Sequence, residues 1–374
     1  MSESRQFCPE CGDAVAVDPA ERELPEHVGR VRRRQRALCD ACFFERFDLV
    51  SAPDRVEVGV CDSCGAVRRG ERWVDVDARD YTDVAIDAAT ESLSVHVDAE
   101  EIRWAVDPEQ VDPTTVRIHA TFSGVVRETP VEESVTVPVK ISRGTCTRCG
   151  RISGDYYAST VQVRARGREP TSEETDRAAE LAGEIVAEME ATGDREAFVT
   201  EIAETEGGLD VKVSTTKIGH KLAEAIVSEF GGTVDSSETL VTEDEDGEEV
   251  YRVTYAVRLP AYRPGEVIDP GDGDGPVLVR SVRGNLKGRR LATGEDYEVD
   301  PEEIGDATRL GTREDGRETT LVAVEDDNAV QVLDPETYEA TTVARPADLD
   351  SDADTVEVLK HREGIHVLPD DGEE

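Results

Sequence analysis

Cys8-Pro-Glu-Cys-Gly12, Cys39-Asp-Ala-Cys-Phe43, Cys61-Asp-Ser-Cys-Gly65 and Cys146-Thr-Arg-Cys-Gly150 decide how this sequence is read. The four pairs use all eight cysteines of the chain, with none left over. Two residues between thiols let one tight turn aim both sulfurs at a single tetrahedral ion, so four pairs supply two closed four-cysteine sites. Glycine after the first, third and fourth pairs fits a knuckle that turns through positive φ. A lone Cys-x-x-Cys suits redox chemistry equally well, whereas four with no stray thiol point to metal. Two structural zinc ions are expected, on Cys8, Cys11, Cys39, Cys42, Cys61, Cys64, Cys146 and Cys149. Pairing the first with the second and the third with the fourth closes the shorter loops and is preferred. Spacing alone leaves the crossed arrangement open.

Outward from these pairs, the composition sets the setting. At 374 residues the chain is long for one domain. Its 84 acidic residues against 42 basic ones give a net charge of −42. The acid is spread through every segment rather than gathered in a tail, the pattern of a protein kept soluble in molar salt. With that background no single carboxylate pair stands out as catalytic. No apolar run long enough for a membrane span and no leader-like N-terminus is seen, so a cytoplasmic protein is expected, with thiols on metal rather than in disulfides.

Periodicity divides the chain into a multidomain α+β protein of four expected parts. Residues 1–52 read as a treble-clef-like zinc finger in which Phe43, Phe47 and Val50 recur at helical spacing after Cys39. Residues 53–150 read as a zinc ribbon with an inserted β-rich module. There Val116, Ile118, Ala120 and Phe122 alternate, as do Val135, Val137, Val139 and Ile141, and Asp80 is placed to cap a helix through Val84, Ala88 and Leu93. Residues 151–259 read as a central α+β domain of order β-α-α-β-α-β-β. A Thr171-x-x-Glu174 capping box precedes the stripe Ala178, Leu181, Ala182, Ile185, Val186, Met189. Asp194 is expected to start a second, short helix through Phe198 and Ile202; Ile218 to Phe230 forms the third, stopped by Gly231. An Asp246-Gly247 turn is expected between the last two strands. Residues 260–374, with short strands between Gly, Pro and Asp, suggest one or two small β-barrels of the SH3 or OB kind.

Arginine clusters are the other candidates for function. Arg30, Arg32, Arg33, Arg34 and Arg36 fall within seven residues; Arg143, Arg148 and Arg151 bracket the fourth pair; Arg280, Arg283, Lys287, Arg289 and Arg290 surround Gly284 and Gly288. Guanidinium groups make paired hydrogen bonds to phosphate, so RNA contact is expected; surface ion pairing with the abundant acid is the plainer alternative. Lys217, His220 and Lys221 on the third helix are weaker candidates. Screening at molar salt favours such short-range contacts over a broad basic face. His96 and His119 fall in strand patterns and read as strand residues rather than ligands. No nucleophile elbow, phosphate loop or paired-histidine metal motif is present, so a non-enzymatic role is expected.

Taken together these residues resemble the Nmd-three-type proteins, the large-ribosomal-subunit export adaptors of eukaryotes and their archaeal homologues. The four cysteine pairs match in order. Gly70-Glu-Arg-Trp-Val74 follows the third pair; Tyr157 and Val161-Gln-Val-Arg164 follow the fourth. Gly208-Leu-Asp-Val211 with Lys217 and His220-Lys-Leu222, Glu249 to Pro260, and Val330-Gln-Val-Leu-Asp-Pro-Glu-Thr337 are similar further on. The resemblance implies a non-enzymatic factor that binds the large subunit's joining face through ribosomal RNA and proteins late in assembly and blocks premature subunit joining. It also implies a C-terminal pair of barrels like those of translation factor five A. No leucine-rich export signal or basic import cluster is seen before Glu374, and the acidic, arginine-biased body resembles a haloarchaeal member. A monomer with no membrane and no small-molecule substrate is expected. The alternative class is a zinc-ribbon DNA-binding or transcription-associated protein.

Overall fold

The computed structural model describes residues 6–15, 38–76, 80–243, 249–301, 303–305, 307–346, 349–362 and 364–369. The chain divides into two compact units, 1–150 and 151–374. No helix among the described residues is long and apolar enough to cross a membrane.

In the first unit, β1 (Gln6–Phe7) and β2 (Ala14–Val15) form a two-stranded ladder, followed by α1 (Asp40–Phe44) and β3 (Val50–Ser51). Then come β4 (Val56–Cys61), β5 (Val67–Arg69), β6 (Arg72–Val74), α2 (Tyr81–Ser92) and β7 (Ser94–Val95). Three long strands follow: β8 (Glu100–Asp112), β9 (Thr115–Val126) and β10 (Thr129–Gly144). Helix α3 (Thr147–Ser153) begins after them. The main sheet runs β6-β5-β4-β10-β9-β8, antiparallel except where β10 lies parallel to β4. Expected alternation is met: Val116, Ile118, Ala120 and Phe122 of β9 and Val137, Val139 and Ile141 of β10 are all buried. Asp80 caps α2 as expected, accepting from the amides of Thr82 and Asp83, and Val84, Ala85 and Ala89 pack on the sheet. Each fully buried Val or Ile here contributes about 1.5–3 kcal/mol, and each alanine methyl less than about 1 kcal/mol.

The helix expected after Cys39 is shorter than its periodicity implied. It stops at Phe44; Val50 belongs instead to β3, paired with Val95. Tertiary contacts decide this. The Leu49 and Val50 amides donate to Glu133 of β10, at 2.6 and 3.4 Å, so the chain bends at Leu49 instead of continuing the helix. Phe43 and Phe47 still meet, with ring centroids 5.2 Å apart, and Phe43, Leu49 and Val50 share a core with Ala120, Phe122 and Val126.

The second unit opens with β11 (Ser159–Ala165), α4 (Ser172–Ala191), β12 (Val199–Thr205) and β13 (Gly208–Val213). Helix α5 (Thr216–Phe230), β14 (Thr233–Glu243) and β15 (Glu249–Leu259) complete its first sheet, ordered β12-β13-β11-β15-β14. The capping box of Thr171 and Glu174 forms, and both helices lie on one face around Val161, Val163, Leu181, Leu222, Ile226 and Val257. The expected helix from Asp194 does not form. The Asp194 carboxylate accepts the Glu196 amide, as in a turn, and the chain enters β12 with Ile202 about half exposed. Val199, Thr200, Ile202 and Thr205 are β-branched, and pairing along β13 outweighs a short, weakly capped helix. The order is therefore β-α-β-β-α-β-β. The expected turn at Asp246-Gly247 lies outside the described residues.

Two five-stranded antiparallel sheets follow. The first holds β16 (Glu266–Asp269), β17 (Val277–Ser281), β18 (Leu286–Arg290), β19 (Asp296–Val299) and β20 (Thr308–Thr312) in the order β19-β18-β17-β16-β20. The second holds β21 (Arg317–Val324), β22 (Ala329–Leu333), β23 (Ala340–Ala344), β24 (Thr355–His361) and β25 (Gly364–Val367). Its order is β23-β22-β21-β24-β25, with the two end strands close enough to leave a nearly closed barrel.

Candidate metal centres

Each cysteine pair sits where a strand or a helix starts or stops. At the first, the Gly12 amide donates to the Cys8 carbonyl at 2.9 Å and the Cys8 amide to the Asp13 carbonyl at 2.7 Å. Gly12, at φ +82°, makes the return that an L side chain resists. Cys39 is the N-cap of α1 and Cys42 lies one turn inside it. The four sulfurs of Cys8, Cys11, Cys39 and Cys42 come within 4.8 Å of one another, with Cys11 and Cys39 at 3.4 Å. An Arg46–Glu10 ion pair at 2.7 Å spans the two knuckles.

The second centre depends on the long strands. Parallel pairing of β4 with β10 sets Gly144 beside Cys61, and the Asp62 amide donates to the Gly144 carbonyl at 2.9 Å. The chain therefore re-enters next to the third knuckle although a whole module separates the two in sequence. Cys61, Cys64, Cys146 and Cys149 also gather within 4.8 Å. The Cys146 amide points at the Cys61 sulfur at 3.3 Å, the Cys149 amide at the Cys146 sulfur at 3.4 Å, and Trp73 and Ala66 close the site. Of the two pairings left open by spacing, the shorter loops close.

One expectation about the knuckles is corrected. Gly65 takes φ +75° as Gly12 does, but Gly150 does not turn; it continues α3. The third knuckle must double back into β5, whereas the fourth runs straight on as helix.

The thiols differ in acidity for local reasons. Backbone amides of Cys11 and Cys39 lower the Cys8 thiol to about 6. Burial pushes Cys61 up, but the amides of Cys146, Cys64 and Ser63 together bring it down to about 6. Burial and the sulfurs of Cys146, Cys64 and Cys61 push Cys149 up to about 12, and the sulfurs of Cys11 and Cys39 raise Cys42 strongly. Each quartet thus has one thiol that ionises readily and neighbours that resist, since like charges at this range repel. A divalent cation removes that conflict. Four sulfurs with amide donors fit a soft tetrahedral ion and fill its coordination, so both quartets can hold metal ions.

Residues 8–154, which contain both quartets, match the family model described as NMD3, N-terminal domain. Residues 156–259, the domain of β11 to β15, match the one described as NMD3, second domain. Two domains of one family thus follow each other directly and take in well over half of the chain. The chain belongs to the NMD3 family. NMD3 proteins are ribosomal-subunit export and biogenesis adaptors. A comparison with curated proteins gives no match.

Within the NMD3 N-terminal domain, Arg30, Arg32, Arg33, Arg34 and Arg36 lie outside the described residues. Arg143 stands 4.8 Å over the Tyr81 ring, and Arg148 lies on α3. Arg151 pairs with Glu196 and stands over Tyr156. In the second domain Lys217, His220 and Lys221 lie on the first turns of α5, where His220 pairs with Glu224 at 3.2 Å. In the cluster around Gly284 most side chains have partners within the protein, although Arg283 and Lys287 are exposed. Arg290 is buried against Asp272, Arg289 donates to the Gly294 carbonyl, Arg283 to the Glu229 carbonyl, and Lys287 faces Glu298 at 3.5 Å. Arg280 is exposed.

Sequence reasoning missed Arg127. Its guanidinium covers the Phe43 ring at 3.8 Å and donates to the Leu38 carbonyl and Asp40, tying α1 to the β9–β10 hairpin. Nothing local announces this role, because the partners lie far apart in the chain.

Proposed function

We propose that this protein is a non-enzymatic factor of the large ribosomal subunit, acting late in assembly or in surveillance and preventing premature subunit joining. It binds ribosomal RNA and ribosomal proteins, and its two quartets carry structural zinc. The observation that carries this reading is the order of parts: both quartets fall inside the NMD3 N-terminal domain and the second domain follows without a gap. Closed four-sulfur sites are scaffolds, because a filled coordination sphere has no position for a substrate. They supply folding free energy to short elements, α1 and the β1–β2 ladder, that bury little on their own. The excess of acid, 84 residues against 42 basic, fits a haloarchaeal cytoplasm, where a high charge keeps a protein hydrated.

Co-sedimentation in molar potassium chloride with separated large and small subunits, against duplex DNA as competitor, tests the proposal. The protein is expected to travel with the large subunit alone and to resist DNA. Travel with neither subunit, or displacement by duplex DNA, refutes it.

A further inference from the structure

The sheet of the second domain has one face covered by α4 and α5 and one uncovered. Its outward residues follow from the alternation. On β11 they are Thr160, Gln162 and Arg164, while Val161 and Val163 are buried. On β15 they are Arg252, Thr254, Ala256 and Arg258, while Val253, Val257 and Leu259 are buried. These two strands are parallel neighbours, in register at Thr160 with Thr254, Gln162 with Ala256 and Arg164 with Arg258. Their outward positions hold three arginines; the flanking strands add Lys212, Glu201 and Asp210 and, beside Ala256, Asp235 to the same face, so bases slightly outnumber acids there, in a chain with two acids for every base.

Two of those arginines are not neutralised. Several guanidinium groups of this unit are held by carboxylates, as Arg168 is by Glu174, Arg177 by Glu184 and Arg290 by Asp272. Among the described residues neither Arg252 nor Arg258 has an acidic partner. Arg252 is instead fixed in place: it lies 4.0 Å over the Tyr157 ring and donates to the Tyr157 carbonyl and hydroxyl, both at 3.3 Å. Lys212 of β13 stands 5.1 Å from the same ring, its charge taken up by Glu201 at 2.6 Å. At the far end Arg258 is exposed beside Arg164, whose charge Asp210 takes up at 2.7 Å. Two basic ends about 20 Å apart thus flank a flat strip of Thr160, Gln162, Thr254 and Ala256.

We propose that this uncovered face binds the phosphate backbone of ribosomal RNA, with Arg252 and Arg258 as the phosphate-contacting residues and Tyr157 holding Arg252 in position. The inference rests on the ribosomal reading above and names a surface for it. The two arginines without a carboxylate partner favour a polyanion, and the rest of the face favours RNA over protein. Protein interfaces are anchored by large apolar side chains in pockets; among the outward positions of β11, β13 and β15 only Val250, at the end of β15, is a branched aliphatic. Hydroxyl and amide groups between fixed guanidiniums suit phosphate and ribose instead.

The test uses the full-length, metal-loaded protein with protein-free large-subunit ribosomal RNA and, separately, with purified large subunits. Arg252→Gln with Arg258→Gln should weaken RNA binding about tenfold or more at about 0.1 M salt. It should also flatten the slope of log affinity against log salt by about 1.4, two contacts' worth for single strands. Arg252→Lys with Arg258→Lys should restore the slope but not the full affinity. The midpoint of thermal unfolding should fall by no more than a few degrees in either, since Arg258 is exposed and Arg252 gives up only its contacts with Tyr157. Unchanged RNA binding of the Gln variant overturns the proposal. Loss of subunit binding with RNA binding intact also overturns it, and assigns the face to an acidic protein. If the wild type binds RNA but no subunit, the ribosomal reading fails while the RNA comparison still decides the face.

Discussion

Three of the cysteine pairs end in glycine, but the structure asks different things of each glycine, and alanine substitution separates them. Gly65 sits at φ +75° with nothing within 4 Å of an added Cβ, so Gly65→Ala meets no clash and only the cost of a left-handed backbone. That cost is about 1–2 kcal/mol for an L residue. Gly150 lies in α3 at an ordinary φ, where an added Cβ would meet only the Thr145 methyl, at 3.9 Å. Replacing an interior helical glycine by alanine is favourable by roughly 0.5–1 kcal/mol. The two substitutions in one motif therefore have opposite signs. In a unit of this size about 1 kcal/mol moves the midpoint by roughly 2–4 °C. Thermal unfolding of the zinc-loaded protein, followed by circular dichroism, should show Gly65→Ala several degrees below wild type and Gly150→Ala at or above it. Equal losses at both positions would refute the assignment of the fourth pair to a helix start.

Further outcomes are expected. Metal analysis should give close to two zinc ions per chain, and Cys61→Ser or a strong chelator should unfold the first unit; thermal unfolding unchanged by either speaks against structural zinc. Glu174→Ala should cost about 3–5 kcal/mol in urea unfolding, because it leaves the largely buried Arg168 without the carboxylate that holds both its nitrogens at 2.7 Å. Gly232→Ala should destabilise the second unit by about 3 kcal/mol or more: φ is +101° and an added Cβ would lie 2.2 Å from the Arg258 carbonyl oxygen. Acid should weaken the last barrel. Backbone amides at Glu336, helped by Lys360, hold Asp334 down to about 2, so the stability it gives is full above about pH 4 and is lost as pH falls toward 2. In Asp334→Asn that acid-dependent loss should be absent from the unfolding curves between pH 4 and 2.

Much of this architecture was legible because alternation and caps are local. Val116 to Phe122, the Thr171 capping box and Asp80 each specify their element within a few residues, and the cysteine spacing specifies two quartets. The losses share a cause. Phe43, Phe47 and Val50 have helical spacing, yet Glu133, far along the chain, binds the Leu49 and Val50 amides where the chain bends away from the helix. The segment after Asp194 has a capping residue, yet pairing with β13 makes it a strand. In the barrels, Leu286-Lys-Gly-Arg-Arg290 is a strand that reads as a basic loop, because its Gly288 and charged residues mask the period. The open face of the second domain was hidden for a similar reason: Arg164, Arg252 and Arg258 are dispersed in sequence and meet only through strand register.

The central claim, that this chain occupies the large subunit and keeps it from joining, is met most directly by a joining assay. Purified large and small subunits are mixed under associating salt after the large subunit has been incubated with a molar excess of the protein. The account predicts that particles stay separate on a sucrose gradient, with the protein in the large-subunit fraction. Full association, with the protein left at the top of the gradient, would contradict it.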